Sequence, residues 1–363
     1  MKVLFFRAPK MGHGFGGVTN VAYNLPMALA KKVLITYYPT YSPPVVSRRK
    51  FATNVLNSYM RLVIKDFDFI HFCYGPGWKT GWYLLFKLAK INRISTILHI
   101  HGIIQMEHIL YDLPMHRFWG TSYKGLSNTL WNCKLADKIV TYSEFMRNEI
   151  AIWYGINREK IVVIPNGVNV RKFSRCSNEL RLDGDPAILY IGNLARFKSP
   201  DIIIQAIAKI RLDLPKLKLH LVGPGNNIAL KNLARKKGVE TRVIFHGRVK
   251  PEKAPLYYKA ADFCIFPSKR DNGTITLLEA MASGTPIIAS ERGGTAEIIS
   301  HTKNGILFDP DDVDALSNAI LVMQKDSKLR KIIVRNAMKT VTNYSWESIA
   351  KRYVSLYKSL RQV

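Results

Sequence analysis

The stretch that decides the fold is residues 270–290, RDNGTITLLEAMASGTPIIAS. Its residues 271–273, Asp-Asn-Gly, are turn formers, and an apolar helix is predicted over 274–283. Gly284 stands where a helix C-cap glycine belongs, and residues 286–289 form a short apolar strand. This order of loop, helix and strand indicates an α/β fold.

Two acids, Asp271 and Glu279, flank the amino end of this helix. The first N–H groups of a helix have no intrahelical partner and carry partial positive charge, so they favour an anion. Carboxylates beside that anion would repel it unless they bind neutral hydroxyl groups. A sugar nucleotide has this layout, because sugar and ribose hydroxyls flank its diphosphate. The spacing alone equally fits a surface acid and an ordinary helical glutamate.

The same alternation of strands and helices runs through both halves of the 363-residue chain, which predicts two doubly wound parallel sheets. Residues 165–185 are rich in Pro, Gly, Asn and Ser, and we place the domain boundary there. The predicted domains are 1–170, 171–345 and a last helix, 346–363. Predicted strands are 2–6, 33–38, 67–72, 95–100, 138–142, 161–164, 187–191, 217–222, 242–246, 262–266, 286–289 and 305–308. Predicted helices are 20–30, 54–64, 82–89, 126–136, 144–153, 200–211, 227–237, 252–260, 274–283, 294–300, 312–324 and 346–360.

The chain is strongly basic, with a formal net charge of +28. Residues 1–175 contribute +16 and residues 176–363 contribute +12, so both halves attract anions. Such a surface fits nucleic acid, anionic lipid or a phosphorylated ligand, or a proteome that is basic throughout. No recognised nucleic-acid module is present, so nucleic acid is not an expected partner.

Cysteine usage predicts a cytoplasmic protein. The four cysteines are scattered without Cys-x-x-Cys pairs, which is typical of reduced thiols. They are Cys73, Cys133, Cys176 and Cys264. No apolar run reaches the roughly 18 residues of a membrane-spanning helix, and the first apolar run is too short for a signal peptide.

The glycine-rich segment from Gly12 to Gly17 matches G-x-G-x-x-G between a predicted strand and helix. A dinucleotide site would also need an acid about 20 residues on, and residues 33–41 contain none. Dinucleotide binding is therefore disfavoured. Glycines still let backbone N–H groups approach a phosphate, although a plain glycine-rich turn fits equally.

Two further groups stand after predicted strands, where ligands bind in such folds. His99 and His101 are spaced i, i+2, but no third metal ligand has a sensible spacing, so no metal site is predicted. Arg196 and Lys198 lie in the first loop of the second domain, where they would neutralise a diphosphate or form a solvated basic loop.

Several segments together resemble the retaining GT-B glycosyltransferases of family 4, over nearly the whole chain. The segment 271–290 is similar to that family's E-x7-E signature. The other resembling segments are GGVTN (16–20), HG (101–102), PNGVNVRKF (165–173), IGNLARFKSPD (191–201), LVGPG (221–225), FHGRV (245–249), GGTAEII (293–299) and YSWESIAKRYVSLYKSL (344–360). The resemblance implies two Rossmann-like domains facing a central cleft, with the last helix crossing back to the first domain.

The resemblance also implies roles for residues of the first domain and of the cationic loop. Gly16 and Gly17 would place N–H groups near the donor diphosphate. His101 would contact the donor sugar or the reacting centre. Lys198 matches the family's phosphate-binding lysine, and Arg196 would assist it.

Within the opening segment, the resemblance assigns the remaining donor contacts. Asp271 would bind hydroxyls of the donor sugar, and Glu279 would hold the ribose. Gly273 lies in the same donor-binding loop, and Thr274 and Ile275 would offer N–H groups to the diphosphate. We expect His101, Asp271 and Lys198 to be the catalytic residues.

Three positions depart from the family pattern. Asp271 stands where glutamate is commonest, so the sugar must sit closer or differ. Asn193 stands where the family often has a phosphate-binding arginine, for which Arg196 is an inferred substitute. The pair 199–200, Ser-Pro, replaces the usual glycine after the lysine.

The resemblance implies a retaining, metal-independent hexosyltransferase-like enzyme. Its substrate would be a UDP- or GDP-linked sugar with no separate cofactor, and its acceptor a lipid-linked, polysaccharide or other glycan. The basic first domain suggests peripheral association with the anionic inner face of a membrane. Alternatives are a sugar-nucleotide epimerase or a starch- or sucrose-type synthase on the same fold and, more distantly, a basic nucleic-acid-binding protein.

Overall fold

The computed structural model describes residues 1–7, 17–39, 67–73, 81–101, 123–177, 179–269, 271 and 275–361. The chain divides into two compact units, one formed by Met1–Gly167 with Trp346–Val363 and the other by Val168–Ser345. The boundary between Gly167 and Val168 lies three residues before the domain boundary predicted from the sequence, between 170 and 171. The predicted helix at 54–64 and the loop 8–16 lie outside the described residues.

The first unit holds a six-stranded parallel sheet in the order β2-β1-β3-β4-β5-β6. The strands are β1 Lys2–Arg7, β2 Leu34–Pro39, β3 Phe69–Phe72, β4 Ser95–His99, β5 Lys138–Thr141 and β6 Ile161–Val163. The helices are α1 Gly17–Leu29, α2 Gly81–Ile91, α3 Tyr123–Leu135, α4 Glu144–Tyr154 and, from the end of the chain, α12 Trp346–Arg361. Helix α12 packs against α1, so the expectation that the last helix returns to the first domain is confirmed.

The second unit holds another six-stranded parallel sheet, in the order β12-β11-β10-β7-β8-β9. Its strands are β7 Ala187–Ile191, β8 Lys218–Val222, β9 Val243–Gly247, β10 Phe263–Phe266, β11 Ile287–Ser290 and β12 Ile306–Phe308. Its helices are α5 Val170–Ser174, α6 Pro200–Lys209, α7 Ile228–Lys236, α8 Ala254–Ala260, α9 Ile275–Ser283, α10 Val313–Lys325 and α11 Ser327–Val341.

Central strands of both sheets are apolar on both faces because helices cover each face. Every residue of β3, β10 and β11 is buried. Parallel strands covered in this way read as continuous apolar runs rather than as alternating ones. The prediction of two doubly wound parallel sheets is therefore confirmed.

Three sequence-based assignments were wrong. The predicted helix at 294–300 is a short 3₁₀ turn, Gly293–Thr295, because Gly293 has φ +71° and breaks regular helical geometry. Helix α11 was missed, although the Asp326 side chain caps it by accepting from the Leu329 N–H. Helix α5 was also missed, because its five residues lie in the stretch taken as a linker.

The structure also bears on membrane-spanning helices and on the state of the cysteines. Within the described part of the chain, no helix combines the length and apolar character needed to cross a membrane. All four cysteines are free thiols; Cys176 is half-buried and the other three are buried.

Candidate active site

The sheet of the second unit changes direction between β7 and β10. From β7 the chain proceeds outward to β8 and β9, and from β10 to β11 and β12. In open α/β sheets this switch leaves a crevice beyond the carboxyl ends of the strands, where ligands bind. The loop after β7 carries Arg196 and Lys198, and the loop after β10 carries Asp271. Three predicted donor-binding residues therefore come from the two strands that flank the switch.

Lys198 and Asp271 form a direct ion pair at this edge. The Lys198 Nζ lies 2.7 Å from Asp271 Oδ2, and the Asp271 side chain is only 6% exposed. A charged carboxylate at that depth needs a cation or hydrogen-bond donors to offset its lost hydration. The sequence nominated both residues, but it did not predict that they bind each other.

The backbone of Asp271 is fixed by the turn that follows β11. The Gly294 N–H donates to the Asp271 carbonyl oxygen at 2.7 Å. A Cβ on Gly293 would lie 2.5 Å from that same oxygen, and Gly293 has a positive φ of +71°. Both the close approach and the backbone angle therefore require glycine. The GGTAEII segment thus buttresses the acid rather than forming the helix expected from sequence.

The loop that carries Lys198 ends in a strained residue. Arg196–Lys198 form a 3₁₀ turn, and the next residue, Ser199, has φ +49° and ψ +45°. This left-handed region is comfortable for glycine and costly for other residues. Glycine is the family's usual residue here, and this geometry explains why. Ser199 is buried and Pro200 begins α6 directly after it, so the loop keeps its shape despite the serine.

Glu279 lies on α9, and protein atoms surround its carboxyl group although part of the side chain is exposed. The Tyr258 O–H donates to Glu279 Oε2 at 3.1 Å. Burial raises the pKa of Glu279 to about 7, while the Tyr258 hydrogen bond and the positive charge of Lys172 oppose that rise. The carboxyl group thus changes charge near neutral pH. Sequence analysis missed Tyr258, whose only signal was its place in a helix before β10.

Ile275 is the first residue of α9 and its side chain is buried. The N–H groups of the first helical turn have no intrahelical partner. Gly273 and Thr274 lie outside the described residues, as does Gly16. Gly17 opens α1 in the first unit.

His101 belongs to the first unit, just beyond β4. Tyr142 Oη lies 2.5 Å from its Nδ1. Burial lowers the pKa of His101 to about 4, although a hydrogen bond from the ring to the Cys73 backbone carbonyl acts in the opposite direction. The imidazole is therefore neutral at physiological pH.

The first unit also brings together three groups that the sequence did not connect. Donor atoms of Cys73, His99 and His101 all lie within 4.8 Å of one another. Cys73, which directly follows β3, is thus a third candidate ligand beside the two histidines that the sequence spacing did not reveal. In the described structure both His99 nitrogens already face protein partners, Cys73 Sγ at 3.7 Å and Tyr353 Oη at 2.9 Å. An ion would have to displace those contacts.

Comparison with known families covers most of the chain. Residues 15–172 match the family described as Glycosyltransferase Family 4, and residues 174–340 match Glycosyl transferases group 1. An uncharacterised glycosyltransferase of Methanocaldococcus jannaschii is 34% identical over 233 residues, 61% of this chain and 60% of that protein. A D-inositol 3-phosphate glycosyltransferase of Corynebacterium urealyticum is 29% identical over 62% of this chain and 57% of its own length. The match thus spans less than two thirds of either relative.

Solved structures show the same fold at low sequence identity. HepE of Anabaena, solved with UDP and glucose, superimposes with a TM-score of 0.75 at 19% identity, covering 99% of this chain and 100% of that one. WaaG, a glycosyltransferase involved in lipopolysaccharide biosynthesis, gives a TM-score of 0.70 at 15% identity, covering 98% and 99%. The two parallel six-stranded sheets are therefore those of the GT-B fold, and the chain belongs to the glycosyltransferase family 4, glycosyl transferases group 1.

Proposed function

We propose that this chain transfers a sugar from a nucleotide-sugar donor to a glycan or lipid-linked acceptor, with retention of anomeric configuration and without a metal ion or other cofactor. The observation that carries the proposal is the ion pair between Lys198 and the buried carboxylate of Asp271 at the sheet switch point, in the loop that precedes α9. That arrangement offers a cation and helix N–H groups to a diphosphate and a carboxylate to sugar hydroxyls. HepE, which shares the fold, was solved with UDP-glucose, and this favours a UDP-linked sugar among the donors to test.

Lys198 and Asp271 would exchange partners when the donor binds. In the chain alone, Lys198 neutralises Asp271 at 2.7 Å. A bound diphosphate would compete for the ammonium group of Lys198, and sugar hydroxyls would then donate to the carboxylate. Asp271 is shorter than the glutamate common in the family, so it would require a closer sugar. Sugar specificity would therefore be decided at this residue.

The bond-breaking step would depend on charge stabilisation. As the sugar–phosphate bond breaks, positive charge develops on the sugar ring and negative charge on the leaving diphosphate. Lys198, Arg196 and the amino end of α9 would stabilise the leaving group in a site where such interactions are strengthened by exclusion of water. The acceptor would attack from the face that the diphosphate leaves, with a departing phosphate oxygen taking its proton. This front-face route retains configuration.

Two further aspartates of the second unit form ion pairs with nearby cations. Asp309 and Asp311, spaced as Asp-x-Asp, form ion pairs with Arg292, and Asp311 also pairs with Lys269 at 2.5 Å. Those pairs lower the pKa of Asp311. These two carboxylates therefore form surface ion pairs.

Glu279 would hold the ribose of the nucleotide. An ionised carboxylate accepts from both ribose hydroxyls through its two oxygens, whereas protonation turns one of those oxygens into an O–H donor. Because burial raises the pKa of Glu279 to about 7, donor affinity should fall as the pH drops below neutrality. Hydroxyls of the ribose would replace the hydration that burial has removed.

The acceptor side is proposed on the basic first domain, in a cytoplasmic protein that associates with an anionic membrane surface. The net charge of +16 over residues 1–175 supports this, and the basic and aromatic segments at 41–51 and 111–124 lie outside the described residues. Flotation with anionic liposomes in low and high salt tests the association. Absence of binding at low salt would remove the membrane part of the proposal.

The test of the activity itself is a thermal-shift screen with UDP-, GDP- and ADP-sugars, followed by transfer assays with the stabilising donor. We expect one nucleotide class to stabilise the chain and free nucleotide to appear only when an acceptor is added. Conversion of the donor sugar without an acceptor would indicate an epimerase. Salt-sensitive binding to RNA with no donor-induced shift would indicate a nucleic-acid-binding protein.

A further inference from the structure

A chain of buried hydrogen bonds connects the last helix of the protein with His101. Tyr353 and Tyr357 of α12 are 1% and 0% exposed. Tyr353 Oη lies 2.9 Å from His99 Nε2. His99 Nδ1 lies 3.4 Å from Tyr142 Oη, which in turn is 2.5 Å from His101 Nδ1. All of these residues belong to the first unit.

The donor-to-acceptor direction of this hydrogen-bond chain follows from His101, the group at its end. The His101 ring bonds the Cys73 backbone carbonyl, and a carbonyl can only accept. A neutral imidazole with one N–H donor must accept at its other nitrogen, so the Tyr142 O–H donates to His101 Nδ1. The His99 Nδ1–H then donates toward Tyr142 Oη and Cys73 Sγ, which lie 3.4 and 3.7 Å away, and this leaves the Nε2 of His99 to accept from the Tyr353 O–H. One arrangement of protons thus satisfies every group in the chain.

Burial maintains this arrangement by keeping both imidazoles neutral. The pKa of His99 is lowered well below its usual value, first by burial and then by His71 and His101. A protonated imidazole has two donors and no acceptor, so protonation of His99 would break its bond from Tyr353. While both imidazoles stay neutral, the hydrogen-bond chain between α12 and His101 therefore holds each of them in a single tautomer.

We infer that Tyr142, and Tyr353 acting through His99, are positioning residues that hold the His101 ring in one tautomer and one orientation. The inference rests on the proposed function and on the role that the sequence resemblance implies for His101, contact with the donor sugar or the reacting centre. A ring held in this way keeps one orientation at every turnover, and small misplacements of such groups lower rates strongly. The last helix of the chain would thereby contribute to the reacting centre without touching the substrate.

The same helix supplies a matched control. Tyr357 lies one turn after Tyr353, is equally buried, and also binds a buried histidine, with its Oη 2.6 Å from His71 Nδ1. His71 packs against the His99 ring with centroids 4.6 Å apart, but the hydrogen bonds of the chain run through Tyr353. Tyr353→Phe and Tyr357→Phe therefore each remove one buried Tyr–His hydrogen bond from α12. Only the bond of Tyr353 is part of the hydrogen-bond chain that leads to His101.

The first measurement is the tautomer of His101 in the whole protein without donor. Long-range ¹H–¹⁵N spectra of ¹⁵N-histidine-labelled protein, assigned with His101→Gln, report which ring nitrogen carries the proton. We expect an unprotonated Nδ1 in the natural protein and in Tyr357→Phe, and a shifted or averaged Nδ1 signal in Tyr142→Phe and Tyr353→Phe. An unchanged His101 signal in Tyr353→Phe would overturn the inference whether or not the protein is a glycosyltransferase.

The second measurement separates positioning from stability. Both helix variants should lose similar thermal stability, because each leaves a similar buried nitrogen without its donor. We expect Tyr353→Phe to lower kcat about tenfold with little change in donor KM, since misplacement affects the reacting centre, and Tyr357→Phe to leave kcat within about twofold. Equal losses of kcat in the two variants would also overturn the inference. If Tyr142→Phe does not fold, the comparison of Tyr353→Phe with Tyr357→Phe still tests the inference.

Discussion

Replacing Glu279 by glutamine tests the proposed nucleotide site through stability as well as binding. Burial raises the pKa of Glu279 from its ordinary 4.5 to about 7. One pKa unit corresponds to about 1.4 kcal/mol, so a shift of this size makes the ionised carboxylate cost the folded state about 3 kcal/mol. Glutamine has the same shape and still accepts from Tyr258, but it is never charged.

The sign of the pH dependence follows from proton binding. Between pH 4.5 and 7 the folded state holds the Glu279 proton more tightly than the unfolded chain, so the free energy of unfolding falls as the pH rises through this window. Below about pH 4.5 both states are protonated and the cost disappears. Glu279→Gln should therefore match the natural protein at pH 4.5 and be about 3 kcal/mol more stable at pH 8.

The assay is urea unfolding at several pH values, with donor binding measured in parallel. For a unit of this size, 3 kcal/mol corresponds to a rise in melting temperature of about 6–12 °C. Glu252→Gln is the control, because Glu252 is an exposed glutamate in the same unit. A stability gain for Glu279→Gln that fails to grow with pH would refute the burial argument. Unweakened donor binding would refute the ribose assignment.

Three further substitutions test the geometry around Asp271. Ser199→Gly should raise stability by about 0.5–1 kcal/mol in thermal unfolding, because it relieves the positive φ of +49°; a loss would show that the loop is not strained. Lys198→Met should cost about 3 kcal/mol because it removes the cation that neutralises a buried carboxylate, and adding Asp271→Asn should recover stability without restoring transfer. Gly293→Ala should cost more than 2 kcal/mol, since its Cβ would lie 2.5 Å from the Asp271 oxygen; Gly238→Ala, with φ +67° and open space around it, is the matched control, and equal costs would contradict a specific clash.

Local sequence patterns were sufficient for the fold and for most of the candidate residues. Apolar runs such as 262–266 and 286–289 predicted buried parallel strands because helices cover both faces of a doubly wound sheet, and the structure has strands at 263–266 and 287–290. The same patterns located Lys198 and Asp271 after strands, where ligands bind. Local patterns failed where backbone geometry depended on distant contacts: the turn at Gly293 is set by its approach to Asp271.

By itself, the sequence determined most of the elements and which residues stand at the carboxyl ends of the strands, because strand and helix periodicity are properties of neighbouring residues. Only the tertiary structure decided what those residues touch. Lys198 meets Asp271 across 73 positions, and Tyr353 meets His99 across 254. The rise in the Glu279 pKa likewise comes from the surrounding protein atoms rather than from neighbours in sequence. In a parallel sheet, adjacent strands and their helices come from distant parts of the chain, so contacts, burial and charge at their ends are set when the layers pack together.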